Sequence, residues 1–261
     1  MITLKLANQT VKLDHGELVS YTVNEYEYLH QKGSPGWGSS DTEMFPIIGP
    51  TAAANFKVWT SKGDAVQDQH GILRELDYEL LEQSDTTAIF QKKYSANTKV
   101  SNSKYPEKSL VSELYWPYDF QFQKRVHLTK EGVEITFKVA AEEGMPFMLG
   151  YHPAFKTENS ATAIEISESE KITVLEVQAA GSMAYHVANS TAITLHTKHP
   201  LEIETEGFGQ FMFWTEVDTM VCIEPITFYP YDTTQDTLFK GYDYMGKEVK
   251  IYKVFLKPVT S

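Results

Sequence analysis

Alternation with a period of two is the feature that most constrains this chain. Between Asp77 and Val139 the alternation of apolar and polar residues, the period of a half-buried strand, is at its strongest. Within Gly132 to Val139, the residues Val133, Ile135, Phe137 and Val139 share one face, and Glu134, Thr136 and Lys138 share the other. Leu110 to Leu114 and Phe120 to Leu128 read as strands of the same meander, with Thr129-Lys130-Glu131-Gly132 as a hairpin turn. No sustained helical period, internal repeat, low-complexity tract or linker-like shift in composition interrupts the 261 residues. The expectation is one all-β domain over residues 1–261, made of two large packed sheets.

The flanks agree with this. Ile2, Leu4 and Leu6 alternate with Thr3 and Lys5, and Val11 and Leu13 follow the turn-like Asn8-Gln9-Thr10. Leu18 to Val23, Tyr26 to His30, Ala163 to Ile166, Ile172 to Val177, Ala192 to Leu195 and Leu201 to Ile203 are further candidate strands. Thr51 to Asp68 should run out and turn back through Lys62-Gly63-Asp64. The C-terminal strand is expected over Val249 to Leu256, with Val249, Ile251, Lys253, Phe255 and Lys257 on one parity. Met44-Phe45-Pro46-Ile47-Ile48-Gly49-Pro50 holds two prolines and a glycine, so it is a poor central strand. It reads as a buried irregular segment beside a cavity.

Charge removes several classes of partner. The formal net charge is −12. That argues against nucleic acid, anionic membrane surfaces and polyanionic substrates. Only two arginines occur, Arg74 and Arg125, whereas phosphate clamps favour arginine. The single cysteine, Cys222, excludes an internal disulfide, and a reducing compartment is the default. The N-terminus alternates and soon turns polar, without the basic and apolar pattern of a signal peptide. No stretch approaches the ~18–20 apolar residues of a membrane span. A cytoplasmic location is expected.

Four stretches carry candidate chemistry. Met145 to Phe155 is apolar on both flanks of one ionisable side chain, His152. Pro153 biases His152 to extended backbone and takes a donor from the ladder, so a strand should end or break there. Gly150 allows a close approach to the backbone. An imidazole at a strand end among aromatics suits a proton donor of tuned pKa, but equally a core histidine bonded to a carbonyl. Glu224 repeats the pattern: it follows the apolar Met220 to Ile223 and precedes Pro225. A carboxylate at the end of a buried strand costs free energy unless it is paired or working. Gln69-His70-Gly71-Ile72-Leu73-Arg74 joins a second histidine to one of the two arginines. In the bland reading, His70 sits in a turn and Arg74 holds Glu75 or Asp77. Trp37 lies within the Gly- and Ser-rich loop Gln31 to Asp41, where it either plugs the sandwich or offers its ring to a ligand.

These motifs, in this order, resemble the aldose 1-epimerases (galactose mutarotases), especially the bacterial aldose 1-epimerase-like branch. The resemblance runs over nearly the whole chain: Trp37, Phe45-Pro46-Ile47-Ile48-Gly49, Gln69-His70-Gly71-Ile72-Leu73-Arg74, Gly150-Tyr151-His152-Pro153-Ala154-Phe155 and Cys222-Ile223-Glu224-Pro225. It implies a large antiparallel β-sandwich with an open groove on one sheet. It implies Glu224 as general base, His152 as general acid, His70 and Trp37 as sugar-binding residues and Arg74 as a residue that orients the site. The implied reaction interconverts the α and β anomers of a free sugar. A proton leaves the C1 hydroxyl, another reaches the ring oxygen, the ring opens, C1 turns and the ring closes. One acid and one base on opposite sides suffice, with no metal or organic cofactor. Many family members have an arginine where this chain has Pro50, and Trp and Gly where it has Ile226, Thr227 and Phe228. Their sugar-binding aspartate precedes the Glu-Pro pair; here only Asp218 stands between His152 and Glu224.

Three rival readings remain open. Two histidines and a glutamate can form a metal triad, though no His-x-His or His-Glu-x-x-His spacing supports one. A hexose-6-phosphate 1-epimerase would use the same acid and base but needs a basic phosphate pocket. A non-catalytic carbohydrate-binding protein could use the same fold; the presence of both His152 and Glu224 favours catalysis. The expected partner is a small monosaccharide, and the expected state a monomer or homodimer.

Overall fold

The alternating stretch supplies four neighbouring strands at one end of a nine-stranded antiparallel sheet. In the computed structural model, which describes residues 1–259, Phe120–Leu128 and Val133–Ala141 pair in register from Phe120 opposite Ala141 to Leu128 opposite Val133. Val133, Ile135, Phe137 and Val139 are buried as their parity predicts. Thr87–Tyr94 and Glu79–Gln83 extend the sheet on one side. On the other side follow Lys250–Pro258, Leu201–Glu206, Ala192–His196, Ala163–Ser167 and Glu170–Thr173. In Lys250–Pro258 the inward parity is Tyr252, Val254 and Leu256; Ile251 faces out.

A six-stranded antiparallel sheet packs against this one. Its path runs Tyr185–Val187, Gln210–Trp214, Met220–Ile226, Gly150–Tyr151 and Glu43–Met44, with Ala154–Lys156 also on Met220–Ile226. Its inner face sends Tyr151, Phe211, Phe213, Val221 and Ile223 into the main core. That core contains Phe122, Phe137 and Ile135 from the large sheet. The outer face, of opposite parity, carries Met212, Trp214, Cys222 and Glu224, because Met212 pairs with Glu224 and Trp214 with Cys222. The two-residue period explains the division: one strand serves the core with odd positions and the site with even ones. A four-stranded N-terminal sheet, Ile2–Leu6, Gln9–Asp14, Glu17–Val23 and Tyr26–Glu27, adds Leu4, Val11, Leu18 and Tyr21 to the same core.

Several expectations needed correction. Val174–Ala179 is an α-helix where a strand was expected over Ile172 to Val177. The Thr173 side chain accepts from the Glu176 N–H, and Glu176 bonds back to the Thr173 N–H. This capping box is the sequence signal that overrides the β-branched residues. Only Glu113–Leu114 is strand within Leu110 to Leu114. The hairpin Lys57–Thr60 and Gly63–Val66 turns at Ser61-Lys62, so Gly63, expected inside the turn, opens the second strand. Glu224 does not end its strand; Met220–Ile226 continues through Pro225, with Phe211 opposite the proline and Gln210 opposite Ile226.

Candidate active site

The two X-Pro dipeptides face each other. Gly150 pairs with Ile226 and Ala154 with Cys222, so counting inward places His152 opposite Glu224. The strand carrying His152 breaks there, between Gly150–Tyr151 and Ala154–Lys156, as Pro153 predicts. The backbone of His152 is instead fixed to Thr42: its N–H donates to the Thr42 carbonyl at 2.8 Å, and its carbonyl accepts from the Thr42 N–H at 3.1 Å. Gly150 permits the close packing, since a Cβ there would meet Met44 and Ile226.

His152 Nε2 lies 3.4 Å from Glu224 Oε1. The residues are only 5% and 1% exposed, and His152 Nδ1 and Glu224 Oε2 have no hydrogen-bond partner in the protein. Burial pushes the Glu224 carboxyl well above the ordinary carboxylate range. Burial lowers His152 to about 3, and the positive charge of Arg74 adds to that effect. Both directions favour a neutral carboxylic acid beside a neutral imidazole. That pair is one proton transfer away from carboxylate and imidazolium, so the contact stores the two forms that acid–base chemistry needs. The groups stand side by side rather than on opposite sides of a sugar-wide gap.

All five candidate residues line one cavity of about 310 Å³: Trp37, His70, Arg74, His152 and Glu224. The Trp37 ring stacks on His152 at 4.2 Å between centroids and 23° between planes. It therefore covers the imidazole on the outer face of the small sheet and does not plug the sandwich. His30 Nε2, bonded to the Trp37 carbonyl at 2.8 Å, helps hold the loop. His70 meets His152 edge-on at 5.4 Å. Burial, then His152, Arg74 and Lys104, keep its imidazole well below the usual range, hence neutral. His70 sits in a turn at φ 73°, with its carbonyl accepting from the Phe45 N–H at 3.1 Å. The next residue must be glycine, because Gly71 has φ 76° and a Cβ there would strike the Phe45 carbonyl. Arg74 donates through Nε to Glu75 at 3.1 Å and through Nη1 to the Gln69 carbonyl at 3.3 Å, while its side chain also reaches the cavity. The bland reading of Arg74 is met by its contact with Glu75, and the side chain stands in the cavity wall as well. The buried irregular segment is present too: Phe45, Ile47 and Ile48 are fully buried, and Gly49 touches the cavity.

Sequence reasoning missed part of the wall. Trp214 faces His152 at 6.4 Å, and Met212 and Glu216 also line the cavity. Asp218 is not in the wall; its carbonyl accepts from the Thr157 hydroxyl. Trp214 could have been found from parity, as it alternates with the core residues Phe211 and Phe213. Lys104 arrives from a distant loop and Tyr231 from the 3-10 turn Pro230–Asp232 that follows the Glu224 strand, and neither left a local signal. Among the described residues, His152, Cys222 and Glu224 bring one ligand atom each within 4.8 Å of one another. Burial holds the Cys222 thiol protonated, as it does Glu224. The set is neutral, and a dication would have to displace both protons from a dry site.

The fold and this site define a class. The chain is similar in structure to a galactose mutarotase-like protein from Lactobacillus casei, with a TM-score of 0.78 at 17% identity over 99% of this chain and 100% of that one. It is similarly related to a galactose mutarotase related enzyme from Lactobacillus acidophilus (0.74; 18%; 99% and 97%). A galactose mutarotase-like protein from Clostridium acetobutylicum gives 0.67 at 14% identity, over 99% and 95%. The fold is therefore the all-β galactose mutarotase-like fold. No curated protein sequence matches the chain. The aldose 1-epimerase family model matches residues 57–205. That is more than half of the chain, which belongs to the aldose 1-epimerase family. The matched span includes His70, Arg74 and His152; Trp37 and Glu224 lie outside it. Among the described residues, no helix is long and apolar enough to cross a membrane.

Proposed function

We propose that the chain is an aldose 1-epimerase that interconverts the anomers of a reducing sugar, working as one domain over its whole length. The observation that carries this reading is the buried contact between His152 and Glu224 at the base of a cavity walled by Trp37 and Trp214. In the productive state Glu224 is the carboxylate and His152 the imidazolium. Glu224 takes the proton of the C1 hydroxyl while His152 gives its proton to the ring oxygen, so the C1–O5 bond opens to the aldehyde. Rotation about C1–C2 and the reverse transfers complete the cycle, and both groups end as they began. The dry surroundings strengthen both partners: a carboxylate with a raised pKa is a stronger base, and an imidazolium with a lowered one a stronger acid. In this reading His70, kept neutral by burial, and Arg74 bind hydroxyls near the reacting end.

The test is NMR exchange between anomers, or polarimetry, on freshly dissolved α-glucose, α-galactose and a small panel of aldoses. Acceleration over buffer that disappears in Glu224→Ala and in His152→Ala supports the reading. Wild-type rates in both variants refute the assigned roles. Sugar binding without acceleration in the wild type would identify a carbohydrate-binding protein on this fold instead.

A further inference from the structure

His152 has to carry a positive charge in the proposed reaction, yet few of its neighbours favour one. Its Nδ1 has no hydrogen-bond partner in the protein, so no carbonyl or carboxylate steadies an imidazolium from that nitrogen, as one commonly does. Among the described residues, Glu224 is its one acidic contact, and Glu224 gives up its charge when it takes the C1 proton. Cys222, on the same strand, is held as a neutral thiol by burial. His70 is neutral too, and the charge of Arg74 opposes a second cation beside it. Lys104, Glu216 and Tyr231 complete the titratable lining of the cavity. Asp41 and Glu43, on either side of Thr42, are engaged by Lys124.

Support for the charge comes from the face of the ring. Trp37 stacks on His152 with centroids 4.2 Å apart and planes 23° from parallel. Trp214 and His70 meet the same imidazole edge-on, at 6.4 and 5.4 Å. The face of an indole is the best aromatic surface for a cation, and the attraction is largest where water is excluded. His152 meets that condition at 5% exposure. The loop also holds the indole in place rather than offering it freely. The Trp37 N–H donates to Met220 Sδ at 3.4 Å, and its carbonyl is bonded to His30 Nε2 at 2.8 Å. Ser40 closes the loop: its N–H donates to Glu17 at 2.7 Å, and its hydroxyl to the His30 carbonyl at 2.8 Å. These bonds fix the indole against the imidazole, so the face that a sugar would need on that side is already taken.

We propose that Trp37 is a positioning residue for the reaction: its indole face holds the charged form of His152, and other groups bind the sugar. This rests on the epimerase reading above and adds how the acid is kept ready. Trp37 acts through His152 and donates or accepts no proton itself.

The experiment replaces Trp37 by tryptophans carrying one, two and three fluorines, introduced at that position alone. Fluorine withdraws negative charge from the indole face with little change of shape, so packing and burial stay constant. Anomer exchange by NMR should show kcat falling stepwise, by about five- to thirty-fold across the series, the worth of a desolvated cation–π contact, with KM unchanged. The protonation constant of His152 should fall by a similar factor, read from the ¹⁵N titration of the resonance that is absent in His152→Ala. If either quantity is indifferent to fluorine, the inference is overturned. A rise confined to KM also overturns it and makes Trp37 a platform for the sugar. A wild type that accelerates no sugar removes the epimerase reading, and the titration, which needs no sugar, still decides the stack.

Discussion

At the scale of single residues, two groups next to each other have been displaced in opposite directions by one cause, exclusion of water. The consequences for stability also run in opposite directions. Glu224 has a folded-state pKa above its unfolded value, so its contribution is fully present below the unfolded pKa and is lost as pH rises through the folded one. His152 is lowered to about 3, so its contribution is present above the ordinary imidazole value and is lost as pH falls towards 3. Glu224→Gln keeps the shape and removes the ionisation. Anomer exchange in that variant should fall by roughly 10²–10⁴-fold, the usual worth of a general base. Its melting temperature should rise relative to wild type, by ~2–4 °C for each kcal/mol gained. That gain should grow as pH rises above the ordinary carboxylate value, and a gain independent of pH in scanning calorimetry would contradict the assigned cause. The pH dependence of kcat/KM follows from the same pair. The active state holds one transferable proton, so activity should hold above about 3 and fall as Glu224 finally loses its proton at the raised value. A rate that rises with pH throughout would contradict this.

At the scale of elements, the position of His152 depends on a lysine in the other sheet. Lys124 is fully buried and shares its inward parity with Phe120, Phe122, Val126 and Leu128. Its Nζ lies 2.6 Å from Asp41 Oδ2 and 2.8 Å from Glu43 Oε1. These carboxylates flank Thr42, the residue whose backbone grips His152 on both sides. The Tyr151 hydroxyl donates to the same Asp41 oxygen at 2.7 Å, so the site is clamped from beneath by one buried ionic network. Lys124→Met would leave two carboxylates buried without their cation, at a cost of about 3–5 kcal/mol. Denaturant unfolding measures the loss, and a cost under about 1 kcal/mol would show that the network does not hold the sheets together. Gly71→Ala tests a second junction. It forces a Cβ into the Phe45 carbonyl at a backbone angle that alanine avoids, so the His70 turn must shift. The expected outcome is a raised KM together with lost stability; unchanged values of both would mean that the turn is not fixed by this contact.

At the scale of the whole molecule, one continuous set of buried side chains runs from Leu4 to Leu256 and joins all three main sheets. The N-terminal sheet is tied in by specific bonds as well: the Leu18 N–H donates to Asp41 at 3.1 Å, and Gln9 donates to the Thr129 carbonyl at 2.9 Å. The reading of one domain over residues 1–261 predicts a single calorimetric transition on heating, with the van't Hoff and calorimetric enthalpies in agreement. Two resolved transitions would separate the N-terminal sheet from the rest and overturn it.

The amino-acid sequence by itself determined the β architecture, because a period of two is a local property: each strand carries its own pattern of buried and exposed positions. It also exposed His152 and Glu224, because an ionisable residue between an apolar run and a proline is conspicuous without any partner in view. The helix at Val174–Ala179 was legible only through its capping box, since a six-residue helix is too short to display a period of 3.6. Tertiary structure alone decided that the two X-Pro dipeptides lie across one ladder, that Trp37 stacks on an imidazole more than a hundred positions away, and that Lys124 neutralises Asp41 and Glu43 beneath them. The reason is physical. Register between strands distant in sequence depends on which side chains fill the same core, and protonation depends on the water that this packing removes. Neither quantity belongs to any one segment of the chain.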